Sequence, residues 1–326
     1  MIVKQRNVPL TILKLRALVR RLPPHHPKMS SILNDLKKRE AGYKGECSLD
    51  FPLSFLDPKR HFIFHDLRLQ DKTRFFQLDT LIVTKKFGLI IEVKNMSGML
   101  FFDAHFNQLI RTKDGVESAF SDPLIQVGRQ ESQLRNWLLE NGFPVLPILS
   151  LIVISNPQTI IRTSPDNRNL HFKVIHRDAL PAKIKQIENS MKESVLDDKA
   201  LKKAVRALNK QHIDADFSVL ERYTLTVEDL IKGVICANCN DHQLFRRHGR
   251  WLCNQCGHSS KDAHIQALQD YFHLLGPTIT NRQLRDFLNI PSSSTATRIL
   301  QSLDLTSRGV NKGRVYNLVF DAGKKG

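Results

Sequence analysis

Asp79, Glu92 and Lys94 are the charged residues that interrupt two otherwise apolar runs, Phe76-Gln77-Leu78-Asp79-Thr80-Leu81-Ile82-Val83 and Leu89-Ile90-Ile91-Glu92-Val93-Lys94-Asn95. Residues two apart on a strand share a face, so Glu92 and Lys94 point together, and a hairpin partner can bring Asp79 beside them. A buried carboxylate needs a partner, here the lysine, a metal ion or backbone donors. Two carboxylates beside a lysine suit metal-dependent phosphodiester hydrolysis. Asp79 and Glu92 would hold a hard cation, magnesium or manganese, with the Val93 carbonyl as a further oxygen ligand. The cation would lower the pKa of a water and neutralise charge on the phosphate, and Lys94 would orient that water and offset transition-state charge. The plainer reading of the same spacing is an ion-paired patch on a strand face open to solvent.

A second set is local in the chain. Cys236-Ala237-Asn238-Cys239 and Cys253-Asn254-Gln255-Cys256-Gly257 are two Cys-x-x-Cys pairs separated by thirteen residues. Four thiolates complete a closed tetrahedral zinc shell with no position left for water, so the ion is structural, and Gly257 permits the left-handed backbone that lets amides donate to sulfur. A redox dithiol is the rival reading, and His248 and His258 are weaker substitutes as ligands. Leu244 to Leu252 alternates like a short hairpin, giving a zinc-ribbon shape. Arg246, Arg247 and Arg250 beside Trp251 offer charge and a stacking face for nucleic acid, unless an arginine simply covers the indole.

The elements that must position these residues follow from pattern. A basic helix is expected over residues 9–21, ended by Pro23-Pro24, and a second from Ser30 to Glu40. Strands are expected at 61–68, 74–84 and 88–95, the last two joined by a turn at Lys85-Lys86-Phe87-Gly88, with a further hairpin from Gly98 to Thr112. A helix over 123–141 has Pro123 in its first turn, and Ile148 to Ile154 reads as a strand buried on both faces. The fold class is α/β (α+β), a mixed sheet flanked by helices. Residues 178–232 look helical and linking. Helices at 262–275, 280–288 and from Ser292 or Ser293 onward, then a hairpin over 307–318, complete the chain.

The pattern Gly42-Tyr43-Lys44-Gly45-Glu46, Gln77-Leu78-Asp79, Ile91-Glu92-Val93-Lys94-Asn95-x-Ser97-Gly98 and Asp122-Pro123-x-x-Gln126 closely resembles the nuclease-related domain called NERD over roughly residues 40–155. That family is similar to the restriction-endonuclease-like, PD-(D/E)xK superfamily, including its Holliday-junction-resolvase branch. The resemblance implies a four-stranded mixed sheet flanked by helices with the site at one edge. By position, Asp79, Glu92 and Lys94 match the core triad, Glu46 the acidic residue of the first helix, and Gln126 a polar residue of the following helix. Gln77-Leu78-Asp79 stands where the superfamily has Pro-Asp. Glu46 would bind a second cation or steady the first through water. Cys47 reads as a small buried residue beside the site.

The last three helices and hairpin resemble a winged helix-turn-helix domain. That likeness implies that the helix from Ser292 enters the major groove of DNA, with Ser294, Thr295, Thr297 and Arg298 reaching bases or phosphates and Lys312 and Arg314 on the wing touching backbone. A helical protein-interaction module of the same shape is the competing reading.

The 326 residues carry 49 Lys plus Arg against 32 Asp plus Glu, a net +17, of which residues 1–44 hold +9, residues 45–231 hold +1 and residues 232–326 hold +7. Positive charge concentrated at both ends suits two clamps on a phosphate backbone. No apolar run approaches the ~18 residues of a membrane span, and the N-terminus lacks the continuous apolar stretch of a secretory signal. These features exclude a transmembrane or wholly disordered chain and suggest a cytoplasmic one. Expected segments are a basic helical 1–39, a nuclease core 40–160, its completion and linker 161–232, a zinc ribbon 233–261 and a winged helix 262–320. The leading expectation is a metal-dependent DNA endonuclease acting on double-stranded or branched DNA, with a homodimer as the form that cuts both strands. A non-catalytic DNA-binding regulator with a degenerate nuclease fold and an interaction scaffold are the alternatives.

Overall fold

The computed structural model describes residues 1–72, 74–165, 167, 169–239 and 243–320, without the side chain of Lys312. The chain divides into two compact units, one of residues 1–6 and 39–215 and one of residues 7–38 and 216–326. No helix of the described residues is long and apolar enough to cross a membrane.

Strand β1 (Ile2–Lys4) opens the first unit, α1 (Leu10–Arg21) lies in the second, and α2 (Met29–Cys47) runs from one to the other. Helix α1 stops before Pro23-Pro24 as expected, but α2 continues seven residues past Glu40 and so carries Glu46 in its last turn. After the short α3 (Asp50–Leu53) come β2 (Phe62–Asp71), β3 (Arg74–Val83) and β4 (Gly88–Lys94) as an antiparallel meander. Then follow β5 (Met99–Asp103), β6 (Gln108–Lys113), β7 (Val116–Ser121), α4 (Pro123–Glu140), β8 (Ile148–Ile154), β9 (Ile160–Thr163), α5 (Leu170–Lys173), β10 (Val174–His176), α6 (Leu180–Ser190) and α7 (Asp198–Lys210).

The main sheet has six strands in the order β1-β2-β3-β4-β8-β10, two more than the four expected. The additions, β1 and β10, are three-residue edge strands paired in parallel, too short to show any periodicity in sequence. The apolar β8 pairs in parallel with β4 along its whole length, as a strand buried on both faces must. One face packs under the stripe Val127, Leu134, Trp137 and Leu138 of α4 and the stripe Leu201, Ala204 and Leu208 of α7; the other packs under Leu53 of α3 and Leu180 and Ile184 of α6. The expected hairpin at 98–112 proves to be part of a second sheet, β7-β6-β5-β9. Asp114 and Gly115, with φ of 52° and 77°, make the two-residue turn between β6 and β7.

In the second unit, α8 (Val219–Tyr223) precedes a small antiparallel sheet of β11 (Val234–Ile235), β12 (Gln243–Arg247), β13 (Arg250–Leu252) and β14 (Ser259–Ser260). It is followed by α9 (His264–Leu275), β15 (Thr278–Thr280), α10 (Asn281–Leu288), α11 (Ser293–Ser302), β16 (Ser307–Arg308) and β17 (Val315–Asn317). The last three strands form one sheet in the order β15-β17-β16. Thr280 and Gln283 make a capping box for α10, and of the two candidate serines it is Ser292 that caps α11 by accepting from the Thr295 amide at 3.2 Å. The basic N-terminal helix is not an isolated tail. Arg21, 1% exposed, bonds Asp270 of α9 at 2.8 Å and the Gly233 carbonyl at 2.6 Å, and Arg20 shares the same carboxylate.

Candidate active site and metal centre

Strands β3 and β4 place Asp79 and Glu92 side by side, one residue beyond the Thr80 and Ile91 pair of the ladder. The Val93 amide donates to Asp79 Oδ2 at 2.9 Å, and Oδ1 has no hydrogen-bond donor among the described residues. Glu92 is buried, and each of its oxygens has one donor: Lys94 Nζ at 2.7 Å and Gln130 Nε2 at 3.1 Å. Lys94 Nζ also donates to Gln126 Oε1 at 3.0 Å, so Asp79, Glu92, Lys94 and Gln126 do converge. Helix α4 delivers both glutamines because Asp122 caps it through the Leu124 amide at 2.8 Å and Pro123 opens it.

The pleat breaks where this cluster sits. Phe64 and Leu67 of β2, and Leu78 and Leu81 of β3, belong to one core although each pair is three positions apart, so the in-and-out alternation slips at Asp66 and Asp79. Asp66 adopts a φ of 51° there, in the left-handed region, and accepts from Gln77 Nε2 at 2.5 Å. A strained backbone at an acidic cluster is a common mark of a functional site.

Glu46 is close enough to this group to feel its charge, but its hydrogen-bond partner among the described residues is Arg6. Arg6, whose side chain is 4% exposed, donates to Glu46 at 3.1 Å, to Asp50 at 3.2 Å and to Thr80 Oγ1 at 3.3 Å, and meets His65 Nδ1 at 2.7 Å. Burial pushes the His65 imidazole down to about 3, with Arg6 and Lys4 adding to it, so the ring is neutral and accepts from Arg6. Burial pushes Glu46 up to about 7, the charges of Asp66 and Glu92 add to the rise, and Arg6 opposes it. Asp79 is raised well above the carboxylate range by burial and by the charges of Glu92 and Glu46, against the pull of the Val93 amide and Lys94. The site thus gathers more negative charge than Lys94 and Arg6 offset. Asp79 and Glu92 are the residues that would hold a cation, whose charge would relieve that imbalance, and Gln130 Oε1, a buried acceptor with no donor among the described residues, lies in the same neighbourhood.

Sequence reasoning missed Arg6, His65, Asp66 and Gln130. Gln130 falls on the buried stripe of α4, three residues after Val127, and a polar residue there is the signal that could have found it. Gly45 has a close-approach role: a Cβ there would lie 2.5 Å from the Cβ of Asn95, so only glycine lets α2 come this near the end of β4. Cys47 is half-buried rather than buried, and burial raises its thiol while the Tyr43 hydroxyl one turn earlier bonds to it.

In the second unit the four cysteine sulfurs lie within 4.8 Å of one another, the only such group of three or more His, Cys, Asp or Glu among the described residues. Cys236 and Cys256 are 3.6 Å apart and Cys239 and Cys253 3.7 Å apart, near the ~3.8 Å edge of a tetrahedron with ~2.3 Å zinc–sulfur bonds. The Asn238 side chain and the His258 amide pull the Cys256 thiol down to about 6, which prepares a thiolate. Neither His248 nor His258 belongs to the group. The site therefore suits a structural metal such as zinc.

Trp251 offers no stacking face. Its ring is 1% exposed, its Nε1 donates to His264 at 3.1 Å, and the Arg246 guanidinium covers it at 5.1 Å. Arg247, Arg298 and Arg314 are exposed, whereas Arg250 donates to Ser259 at 2.7 Å. Ser294 is exposed and bonds the Ser292 hydroxyl at 2.9 Å, Thr295 is half-buried, and the Thr297 hydroxyl is spent on the Ser293 carbonyl and Asn281, each at 3.0 Å. The Lys312 side chain lies outside the described residues.

Among solved structures, the chain is similar to that of protein VC1899 from Vibrio cholerae, at 14% identity and a TM-score of 0.27. That alignment covers 56% of this chain, and the chain spans 50% of the other. No curated protein matches it. Residues 41–155 match the family of the nuclease-related domain, NERD. The chain therefore carries a nuclease-related domain over those residues, and Glu46, Asp79, Glu92, Lys94 and Gln126 all fall inside it.

Proposed function

We propose that the protein is a divalent-cation-dependent nuclease that hydrolyses DNA phosphodiesters at Asp79, Glu92 and Lys94. The observation that carries this reading is the convergence of Asp79 and Glu92 with too little positive charge to balance them. Asp79 Oδ1, Glu92 and the Val93 carbonyl would hold magnesium or manganese. Such an ion supplies charge neutralisation at the phosphate and a more acidic attacking water. Lys94, held by Glu92 and Gln126, presents its ammonium where charge develops on the phosphate. Gln130 fixes the Glu92 rotamer, and Arg6 fixes Glu46. In the second unit, the zinc-holding cysteines and the three helices with their closing sheet are read as a zinc ribbon and a winged helix that grip DNA through Arg246, Arg247, Arg298 and Arg314. Double-stranded or branched DNA is the proposed substrate, and cutting both strands would call for two copies of the chain.

One observation favours a second reading, a DNA-binding protein without cleavage. Lys94 and the Val93 amide already satisfy an oxygen of each carboxylate without any ion. Incubating the pure protein with supercoiled, linear, single-stranded and branched DNA in magnesium or manganese, alongside Asp79→Ala and Lys94→Ala, separates the two. Cleavage lost in both variants is the expected result. No cleavage of any substrate, or equal cleavage by the variants, would overturn the nuclease.

A further inference from the structure

Between the β12–β13 hairpin and the start of α11 lies a cavity of about 650 Å³. That is within the ~300–1,000 Å³ range of small-ligand sites. Its walls carry Arg246, Arg298, Ser292 and Thr295, with Ile290 and Pro291 as apolar surface, and no carboxylate among the described residues lines it. Neither guanidinium forms a salt bridge among the described residues. Arg246 Nη1 is buried and donates to nothing among them. The Trp251 ring beneath it holds the guanidinium in place. Burial and the nearby charge of Arg298 both weaken the hold of Arg246 on its proton, which is what two cations facing one space without an anion must do. The ten-residue α11 begins at the same wall, and beyond the Thr295 amide capped by Ser292 its first-turn amides have no acceptor within the helix.

A phosphate complements two forked guanidiniums and a helix start better than a carboxylate or a halide does, because its oxygens accept from several directions at once. Ile290 and the exposed Pro291 add the apolar wall that a nucleoside would use. We propose that this cavity binds one nucleotide of an unpaired DNA strand, its phosphate between Arg246 and Arg298 and its sugar and base against Ile290 and Pro291. A nucleotide stacked within a duplex has no free face to enter such a cavity. The inference rests on the reading of the second unit as DNA-gripping, but not on cleavage.

The test is fluorescence anisotropy of the full-length, zinc-loaded protein with a short single-stranded oligonucleotide in magnesium-free buffer. Arg298→Ala should weaken binding about tenfold. It should also lower the slope of log affinity against log salt by about 0.7, the loss of one single-strand phosphate contact. Lys261→Ala, an exposed residue outside the cavity, should change affinity far less, and Arg246→Lys should retain more than Arg246→Gln. A deoxynucleoside monophosphate should compete with the strand on wild-type protein but not on Arg298→Ala. Unchanged affinity and slope in Arg298→Ala would overturn the proposal, as would an equal loss in Lys261→Ala. Inorganic phosphate competing as well as the monophosphate, or duplex competing better than single strand, would also reject it. Zinc content and circular dichroism show whether each variant is folded, and Arg298, exposed and without a hydrogen bond among the described residues, is the variant least able to disturb folding. Strand binding lost in Arg298→Ala of a protein that cuts nothing keeps this site and rejects the nuclease. Cleavage that depends on Asp79 with normal binding by Arg298→Ala does the reverse.

Discussion

The nuclease-related unit collects carboxylates with too few cations around them, whereas one cavity of the cysteine-bearing unit collects two guanidiniums with no carboxylate among the described residues facing them. Glu46 and Asp79 are held above their ordinary pKa by burial and by nearby carboxylates, Asp66 and Glu92 for the first and Glu92 and Glu46 for the second, while Arg246 is pulled below its own by burial and Arg298. Each imbalance names the ligand that would relieve it, a cation in the first unit and a phosphate in the second. Buried charge elsewhere in the molecule behaves differently. Arg21, 1% exposed, is matched by Asp270, by two backbone carbonyls and by the face of Phe287 4.9 Å away, so it holds α1 in place and calls for nothing further. A charge whose donors are all spent is structural; one whose donors are left over is a candidate site.

The sharpest way to break this comparison is to remove the metal from the cysteines. Structural zinc sites contribute about 10 kcal/mol or more to folding, so a strong chelator or Cys253→Ser should abolish the thermal transition of the second unit while leaving that of the first, measured by calorimetry. A single transition lost as a whole would contradict the division into two units. Next in size is Asp270→Ala. It strands two arginines and should cost about 3–5 kcal/mol, again in the second unit alone. Asp79→Ala should do the opposite, lowering cleavage by at least about a hundredfold while leaving both transitions near their wild-type temperatures, or raising the first by relieving repulsion.

Acid and alkali offer a smaller, signed test. Burial lowers His264 from 6.5 to about 4 while its Nδ1 accepts from Trp251. Between those values the unfolded chain binds more protons than the folded one, so the His264 contribution is present above pH 6.5 and is lost as pH falls towards 4. Glu46 runs the other way. Raised from 4.5 to about 7, it binds more protons folded than unfolded in that window, so its contribution falls as pH rises through it. Calorimetry from pH 4 to 8 should therefore show His264→Gln flattening the acid-side loss of the second unit and Glu46→Gln flattening the alkaline-side loss of the first. His65, lowered to about 3, adds an acid-side loss to the first unit that Glu46→Gln leaves untouched. Smallest is Gly45→Ala, whose Cβ would press on Asn95 and should cost about 1–3 kcal/mol, with cleavage falling as α2 is displaced.

Much of the candidate site was legible because it rests on local periods. Strand alternation put Glu92 and Lys94 on one face, and the turn before Gly88 brought Asp79 alongside. The cysteine pairs needed only two tight turns and a hairpin. The Asp114-Gly115 turn was equally legible, a dipeptide that favours positive φ at both positions, yet the hairpin expected at 98–112 stopped short of it. Other features carry no local signal. The slip of the pleat at Asp66 and Asp79 depends on both strands at once. The edge strands β1 and β10 exist only because the four strands β2-β3-β4-β8 leave two edges to pair with.

By itself, then, the sequence determined which residue types could do chemistry: paired carboxylates with a lysine in neighbouring strands, and four thiols at metal-ligand spacing. Tertiary structure alone decided how those groups are partnered. It brought Arg6 across the chain to Glu46, His65 and Thr80, turned Gln130 onto Glu92, and closed the Trp251 face with Arg246 while leaving that arginine a donor to spare. The physical reason is that turn and strand preferences are set over a few residues, whereas a buried charge accepts whichever donor the packing of distant segments delivers.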